Sequence, residues 1–327
     1  SYMVIGGAGF LGRHIVSSLL NRGISRVAVV DLLPLKLEGV ETFVCDVTDK
    51  GALDFVFEKF QPTCVIHAVA APLSATADTQ WAVNYTGTRN AVSAAIEYGV
   101  KAFVLSSDAS VVFEGKGLEG IDERYGFPRY ALHAYLDSKA WAESFVQDKN
   151  REGDLRTACI RCSAIFGPGS SSVVHPIADA FRSQSALTFE VGDNVSLFDW
   201  TYVTNAAEAH VLAVEQLLLK QPVDGEAFFI TNGEPRPFWD VPNAIHAMHA
   251  IVGGRCIITG VPSWLARFVA GAAPLFMDGT TASSRLLMQC FATYCTKPQW
   301  FDISKARLML GYRPAISLNE GIRLTVE

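Results

Sequence analysis

Short apolar runs alternate with amphipathic stretches along the first 160 residues. The runs Tyr2 to Ile5, Arg26 to Asp31, Glu41 to Cys45, Cys64 to His67, Ala102 to Ser106 and Arg156 to Ile160 are the candidate strands, short and rich in β-forming residues. Leu11 to Arg22, Leu53 to Phe60, Ala82 to Tyr98 and Tyr135 to Lys149 have helical spacing, and Gly23 and Gly99 stand at helix stops. The alternation predicts an α/β fold, a doubly wound parallel sheet wrapped by helices on both faces.

After Phe166-Gly167-Pro168-Gly169 the alternation lapses into helices and loops punctuated by Pro and Gly. Residues 1–165 are therefore expected to form the first domain and 166–327 a smaller C-terminal α/β region that holds the substrate. The boundary is not sharp, because sheet and helix elements from about 197–231 have the pattern of a return to the first domain. Phe166, Val173, Val174, Ile177, Phe181 and Phe189 make this half apolar, with few arginines to grip a diphosphate, so a small apolar substrate is expected. In Ile257 to Met277, Pro262, Arg267 and Pro274 interrupt what would otherwise be an apolar span. There Trp264, Leu265, Phe268 and Val269 share a helical face, as a cover for the pocket or as a peripheral membrane contact.

With 327 residues, half of them hydrophobic and 18% charged, the chain can build a large core. A net charge of −6 without a basic run gives no footprint for nucleic acid. Seven scattered cysteines suit free thiols in a reducing compartment, and no leader precedes the first strand, so a cytoplasmic protein is expected. Cys159 and Cys162 have the C-x-x-C spacing, but on a strand they face opposite ways and cannot share a metal, so no metal site is expected.

Gly6, Gly9 and Gly12 lie between the first strand and the first helix, with Phe10 and Leu11 opening that helix. Such a loop lets the backbone approach a pyrophosphate at a helix N-terminus. Asp31 ends the second strand, where a carboxylate accepts the ribose hydroxyls of NAD and repels the 2′-phosphate of NADP. Asp46 and Val47 follow the third strand, where they could grip adenine; a helix N-cap is the other reading of Asp46. The expected unit is a Rossmann-type NAD-binding domain.

Tyr135 and Lys139 are four residues apart in a helical stretch and share a face. An ammonium beside a phenol would lower its pKa, so that the phenol exchanges a proton with substrate oxygen near neutral pH.

The segments "VIGGAGFLGRHIV", "VNYTGTRNAV", "SSDASVVFEG", "AYLDSK", "IFGPG", "DWTYVTNAAEAHVLA", "GEAFFITNGEPRPFW" and "FDISKARLMLGYRP" resemble the extended short-chain dehydrogenase/reductases, and within them the 3β-hydroxysteroid and sterol-4α-carboxylate 3-dehydrogenase group. The resemblance covers nearly the whole chain. It implies Tyr135 as catalytic acid/base with Lys139 as its partner, which also holds the nicotinamide ribose. Gly6, Gly9, Gly12, Asp31 and Asp46 would meet the cofactor, Ala68, Val69 and Ala70 would line the adenine ribose, and Asn84 would fix the loop behind the site. The implied reaction is NAD-dependent oxidation of a 3β-hydroxyl on a sterol, triterpenoid or similar polycycle, with loss of a 4α-carboxylate where one is present. A nucleotide-sugar or secondary-metabolite enzyme and a dinucleotide-binding module are the alternatives. A homodimer through Ala82 to Tyr98 and Tyr135 to Lys149, and a place at the cytosolic face of the endoplasmic reticulum, complete the expectations.

One position departs from that pattern. Three residues before Val111, where the group usually has Ser or Thr as hydrogen-bond donor to the reacting oxygen, stands Asp108. A carboxylate accepts and does not donate. Three readings stay open: Asp108 is protonated and donates; Ser107 or Ser110 takes over; or Asp108 acts as a base in altered chemistry or impairs turnover. Cys162 replaces a common Pro, and His133 stands two before Tyr135 where an acid is common, as a titrating neighbour or a packed residue.

Overall fold

The computed structural model describes residues 1–130, 132–170, 187–253, 257–262, 264–265 and 290–326. Strands β1 (Tyr2–Ile5), β2 (Val27–Asp31), β3 (Val40–Val44), β4 (Cys64–His67) and β5 (Ala102–Asp108) lie in one sheet. A short β6 (Leu118–Ile121) leaves that sheet, and β7 (Arg156–Cys162) returns to it. Across the sheet the order is Glu226–Ile230, β7, β5, β4, β1, β2, β3, with every pairing parallel. This is a Rossmann-type doubly wound sheet, and its order reverses between β1 and β4.

Period-two alternation sends side chains to two cores. Val4, Ile66, Val104 and Ile160 pack with helix α1 (Phe10–Asn21) and the helix Val203–Leu218. Met3, Ile5, Val65 and Leu105 pack on the other face against α2 (Lys50–Phe60), and a chain of elements follows there: α3 (Ala77–Gln80), a π-helical stretch Trp81–Thr86, α4 (Gly87–Glu97) and α5 (Ala134–Asp148). Cys159 belongs to the second core and Cys162 to the first, so the two thiols lie on opposite faces.

The stretch expected as one helix from Ala82 to Tyr98 is thus divided. In its widened turn the Thr88 hydroxyl takes the Asn84 carbonyl at 2.6 Å, and the Asn84 side chain is buried. β5 and β7 each run two residues beyond their expected ends, because Ser107 pairs with Arg161 and Asp108 with Cys162 in unbroken register.

The C-terminal region has its own four-stranded sheet, ordered Arg236–Pro237, Leu197–Phe198, Gln299–Phe301 and β6. It therefore borrows a strand from the first 165 residues, while Val203–Leu218 and Glu226–Ile230 serve the main sheet. Phe166, Phe198, Trp200, Phe238 and Trp239 form a separate aromatic core, with Phe198 edge-on to Phe238 at 4.8 Å. Ile257–Val261 is a strand paired with Leu187–Val191, the strand that contains Phe189. Val173, Val174, Ile177, Phe181, Phe268 and Val269 lie outside the described residues. Among the described residues no helix is long and apolar enough to cross a membrane.

Asp199 binds this region together. Its amide donates to Gln299 O at 2.8 Å, its Oδ2 accepts from Phe301 N at 2.9 Å, and its carbonyl accepts from Ser163 Oγ at 2.6 Å. Burial pushes its carboxyl from 3.8 up to about 7. A pKa raised on folding stabilises fully below the unfolded value, and that contribution is lost as pH rises through the folded one. Asp199→Asn keeps an acceptor for Phe301 N but cannot ionise. Its stability relative to wild type is expected to increase between pH 4 and pH 8, and urea unfolding at both values measures this; a constant difference would contradict it.

Candidate active site

The loop after β1 opens at the point where the strand order reverses, the place where doubly wound sheets bind ligands. Gly6 has φ +84°, and a Cβ there would lie 2.9 Å from the Ala68 carbonyl carbon and the Val69 nitrogen. At Gly12 a Cβ would lie 2.0 Å from Gly6 O. Backbone thus fills the space a side chain would need, and the loop lies flat against the chain after β4. Gly9 is the N-cap of α1 and no side chain caps that end, so the amide end of the helix at Phe10 and Leu11 is open to an anion.

Asp31 holds the loop from the next strand: Oδ2 accepts from Ala8 N at 3.0 Å and Oδ1 from Leu33 N at 3.2 Å. Each oxygen keeps a further lone pair for a ribose hydroxyl. Asp46 accepts from the amide and hydroxyl of Thr48, both at 2.8 Å, and Asp49 caps α2 through Ala52 N at 3.0 Å. The N-cap reading of Asp46 is therefore corrected: the cap lies one turn later, and Asp46 shapes the turn before it. Val47 is buried against Gly87, where a Cβ would meet Val47 Cγ2 at 2.6 Å, and Asn90 Nδ2 donates to Val47 O at 3.0 Å. Ala68 and Val69 are half-buried and Ala70 is exposed. Just beyond them Asn84 Oδ1 accepts from Ala71 N at 2.8 Å, and its Nδ2 donates to Ser138 Oγ at 3.0 Å, which joins this loop to α5. The open helix end, the side-chain-free cradle and the Asp31 acceptor fit a dinucleotide.

Helix α5 starts at His133, whose Nδ1 accepts from Tyr135 N at 3.1 Å. His133 thus acts on Tyr135 through the backbone, as an N-cap, and burial draws its pKa below the usual value. The Tyr135 hydroxyl donates to Asp108 Oδ2 at 2.9 Å, and Asp108 Oδ1 accepts from Ser110 N at 2.8 Å and from the Ser110 hydroxyl. Lys139 is buried and donates to Ser106 O at 2.6 Å. Burial lowers the Lys139 pKa, with Asp108 and Glu143 opposing the shift.

The phenol does not follow the expectation of a lowered pKa. Burial, then the Asp108 charge and hydrogen bond, holds Tyr135 well above its ordinary value. The reason is geometric, because Lys139 is spent on a carbonyl and the nearest charge to the phenol is negative. Ser107, in turn, donates to Glu143 Oε2 at 2.5 Å, and Ser110 to Asp108, so both hydroxyls are committed away from the phenol.

Three groups were not anticipated from the sequence. Glu143 Oε1 accepts from Arg161 Nη2 at 2.7 Å and from its Nε at 2.8 Å, both side chains being buried. The Arg161 guanidinium lies over Phe127 at 5.3 Å and Phe229 at 5.2 Å. Tyr294, from the C-terminal region, adds a second phenol whose pKa is raised well above normal by burial and then Asp108. An arginine between Ile160 and Cys162, at the apolar end of β7, was the available signal for the first pair, since such a charge needs a buried partner.

Residues 3–255 match the 3-beta hydroxysteroid dehydrogenase/isomerase family. The chain is 37% identical to sterol-4-alpha-carboxylate 3-dehydrogenase, decarboxylating, of Schizosaccharomyces pombe, covering 100% of this chain and 96% of the relative. Identity to the Saccharomyces cerevisiae protein of that name is 30%, over 100% and 97%. Among solved structures, a Thermus thermophilus UDP-glucose 4-epimerase in complex with NAD superposes with a TM-score of 0.73 at 25% identity, covering 99% and 97% of the two chains.

Gly12→Ala is expected to force α1 and the Gly6–Gly7 backbone apart, lowering unfolding free energy by about 1–3 kcal/mol and weakening nicotinamide dinucleotide binding at least tenfold. Denaturation and a fluorescence titration measure the two effects; a variant that binds like wild type would show that the close approach is not needed.

Proposed function

The chain belongs to the 3-beta hydroxysteroid dehydrogenase/isomerase family and is an NAD-dependent oxidoreductase, and on that premise we propose that it oxidises the 3β-hydroxyl of a sterol, triterpenoid or similar polycycle. Where the substrate has a carboxylate beside that carbon, the new ketone stabilises the electron pair left by departing carbon dioxide, so decarboxylation follows. The observation that carries the reading is the convergence of Tyr135, Lys139 and Asp108 at the C-terminal end of β5, on the same sheet edge as the glycine cradle. NAD, when bound, would supply the acceptor for the hydride of the carbinol carbon.

The protein's own residues do the rest. Tyr135 exchanges the proton of the substrate oxygen, and Lys139, held by Ser106 O, supplies the positive charge of the site. Gly6, Gly9, Gly12, Phe10 and Leu11 receive the pyrophosphate, Asp31 the adenosine ribose, and Asp46, Val47, Ala68, Val69 and Ala70 the adenine side. The nucleotide-sugar alternative has only the fold likeness in its favour.

The surface of α4 and α5 supports a homodimer. Trp141 is 56% exposed there, edge-on to Tyr85 at 6.4 Å, and Tyr85 in turn meets Phe145 at 6.3 Å. Trp264, 65% exposed, is the proposed contact with the cytosolic face of the endoplasmic reticulum membrane. Light scattering with and without neutral vesicles checks both: a dimer that Trp141→Glu dissociates, and co-flotation that Trp264→Ser reduces. A monomeric wild type that does not float would refute both.

With NAD and a panel of 3β-hydroxysterols, with and without a 4α-carboxylate, purified protein is expected to form NADH. Tyr135→Phe is expected to lower kcat by about 100-fold or more while retaining the folded circular dichroism spectrum. Silence across the whole panel would overturn the substrate reading.

A further inference from the structure

The two oxygens of Asp108 have different duties. Oδ1 closes the turn Ala109–Val112 by accepting the Ser110 amide at 2.8 Å and the Ser110 hydroxyl. Oδ2 receives the Tyr135 hydroxyl at 2.9 Å. The phenol is the donor in that contact. The proton of Tyr135 is therefore aimed at a base before any substrate arrives.

Among the described residues, the charged and titratable groups around the pair leave no other acceptor so placed. Lys139 on α5 is a donor and points to Ser106 O at 2.6 Å. Cys162 on β7, paired with Asp108 across the sheet, is a thiol pushed well above its ordinary pKa by burial and then by Asp108. Tyr294 approaches from the C-terminal region as a protonated phenol, and Glu143 is occupied by Arg161 and Ser107.

The geometry points to Asp108 as the proton acceptor of the oxidation, reached through Tyr135. This rests on the alcohol oxidation proposed above. As the C–H electron pair leaves with the hydride to NAD, the substrate O–H bond breaks and its proton passes to Tyr135 Oη. The proton already on Tyr135 passes to Asp108 Oδ2, and the carbinol becomes a carbonyl. The alcohol is oxidised and NAD is reduced. The positive charge of the cofactor and the negative charge of Asp108 disappear together, and the phenol ends protonated as it began. Asp108 is half-buried, so it returns the proton to solvent afterwards. No free phenolate has to form where burial and Asp108 both oppose one. Neither a donor role for Asp108 nor a substitute hydroxyl is then required.

Asp108→Asn preserves the shape and an acceptor oxygen but cannot take up a proton. Its kcat for NADH formation at pH 7 is expected to fall about 100-fold and to recover as pH rises, since Tyr135 must then release its proton to water. Asp108→Ser, with the hydroxyl usual in the resembled family, is expected to move the pH profile of kcat in the same direction. A second readout needs no turnover: phenolate absorbance of each protein minus its Tyr135→Phe counterpart follows Tyr135 alone. Its midpoint is expected to drop in Asp108→Asn. A kcat within twofold of wild type at pH 7 with an unmoved profile, or an unmoved midpoint, would overturn the relay. If wild type forms no NADH while the midpoint still drops, the substrate reading fails and the proton contact stands.

Discussion

The buried ion pair between Glu143 and Arg161 sets the geometry of everything around the reacting phenol. It ties α5 to β7, and Ser107 draws β5 into the same contact. Taking one partner away would leave a charge where no water reaches it, a loss of about 3–5 kcal/mol, so the three elements have one acceptable relative position. Lys139 is one helical turn before Glu143 and Tyr135 one turn before that, which places both on the face the pair presses toward the sheet. On the strands, Asp108 is next to Ser107 and Cys162 next to Arg161, and the two are register partners. The placement of the reactive groups follows from a lock that carries none of the chemistry itself.

The two halves of the site obey different physics. On the cofactor side, side chains are removed: Gly6 and Gly12 exist so that backbone can approach backbone, and Asp31 ties the loop to β2. On the proton side the described side chains that flank the phenol are already engaged. His133 caps the helix, Lys139 meets a carbonyl, and Asp108 serves at once as the closing acceptor of a turn and as the partner of a phenol. That double use gives both oxygens of a half-buried carboxylate hydrogen-bond donors.

Local signals made the main sheet and the glycine loop legible in the sequence, since strand runs, helix periods and glycine spacing are properties of neighbouring residues. The last residues of β5 and β7 were not legible because Ser107, Asp108 and Arg161 are polar and become strand only by pairing with each other. The break between Trp81–Thr86 and α4 was hidden for a similar reason: it follows from an inward Asn84 that secures the loop after Ala70. Tyr135 and Lys139 were found by spacing, but spacing says nothing about where the ammonium points. Its aim at Ser106 O, and the Asp108 contact that raises the phenol, are tertiary facts.

β6 gives the molecule a property that neither sheet has alone. It is made by the first half of the chain yet finishes the sheet of the second, where it pairs with Gln299–Phe301, while Glu226–Ile230 travels the other way to complete the edge beyond β7. Severed after Phe166, each piece would expose strand edges that the other piece normally covers, a template for aggregation. The two regions are therefore not modules that recombination could exchange. Variation in what this scaffold accepts as substrate has to arise by substitution within an interlaced whole.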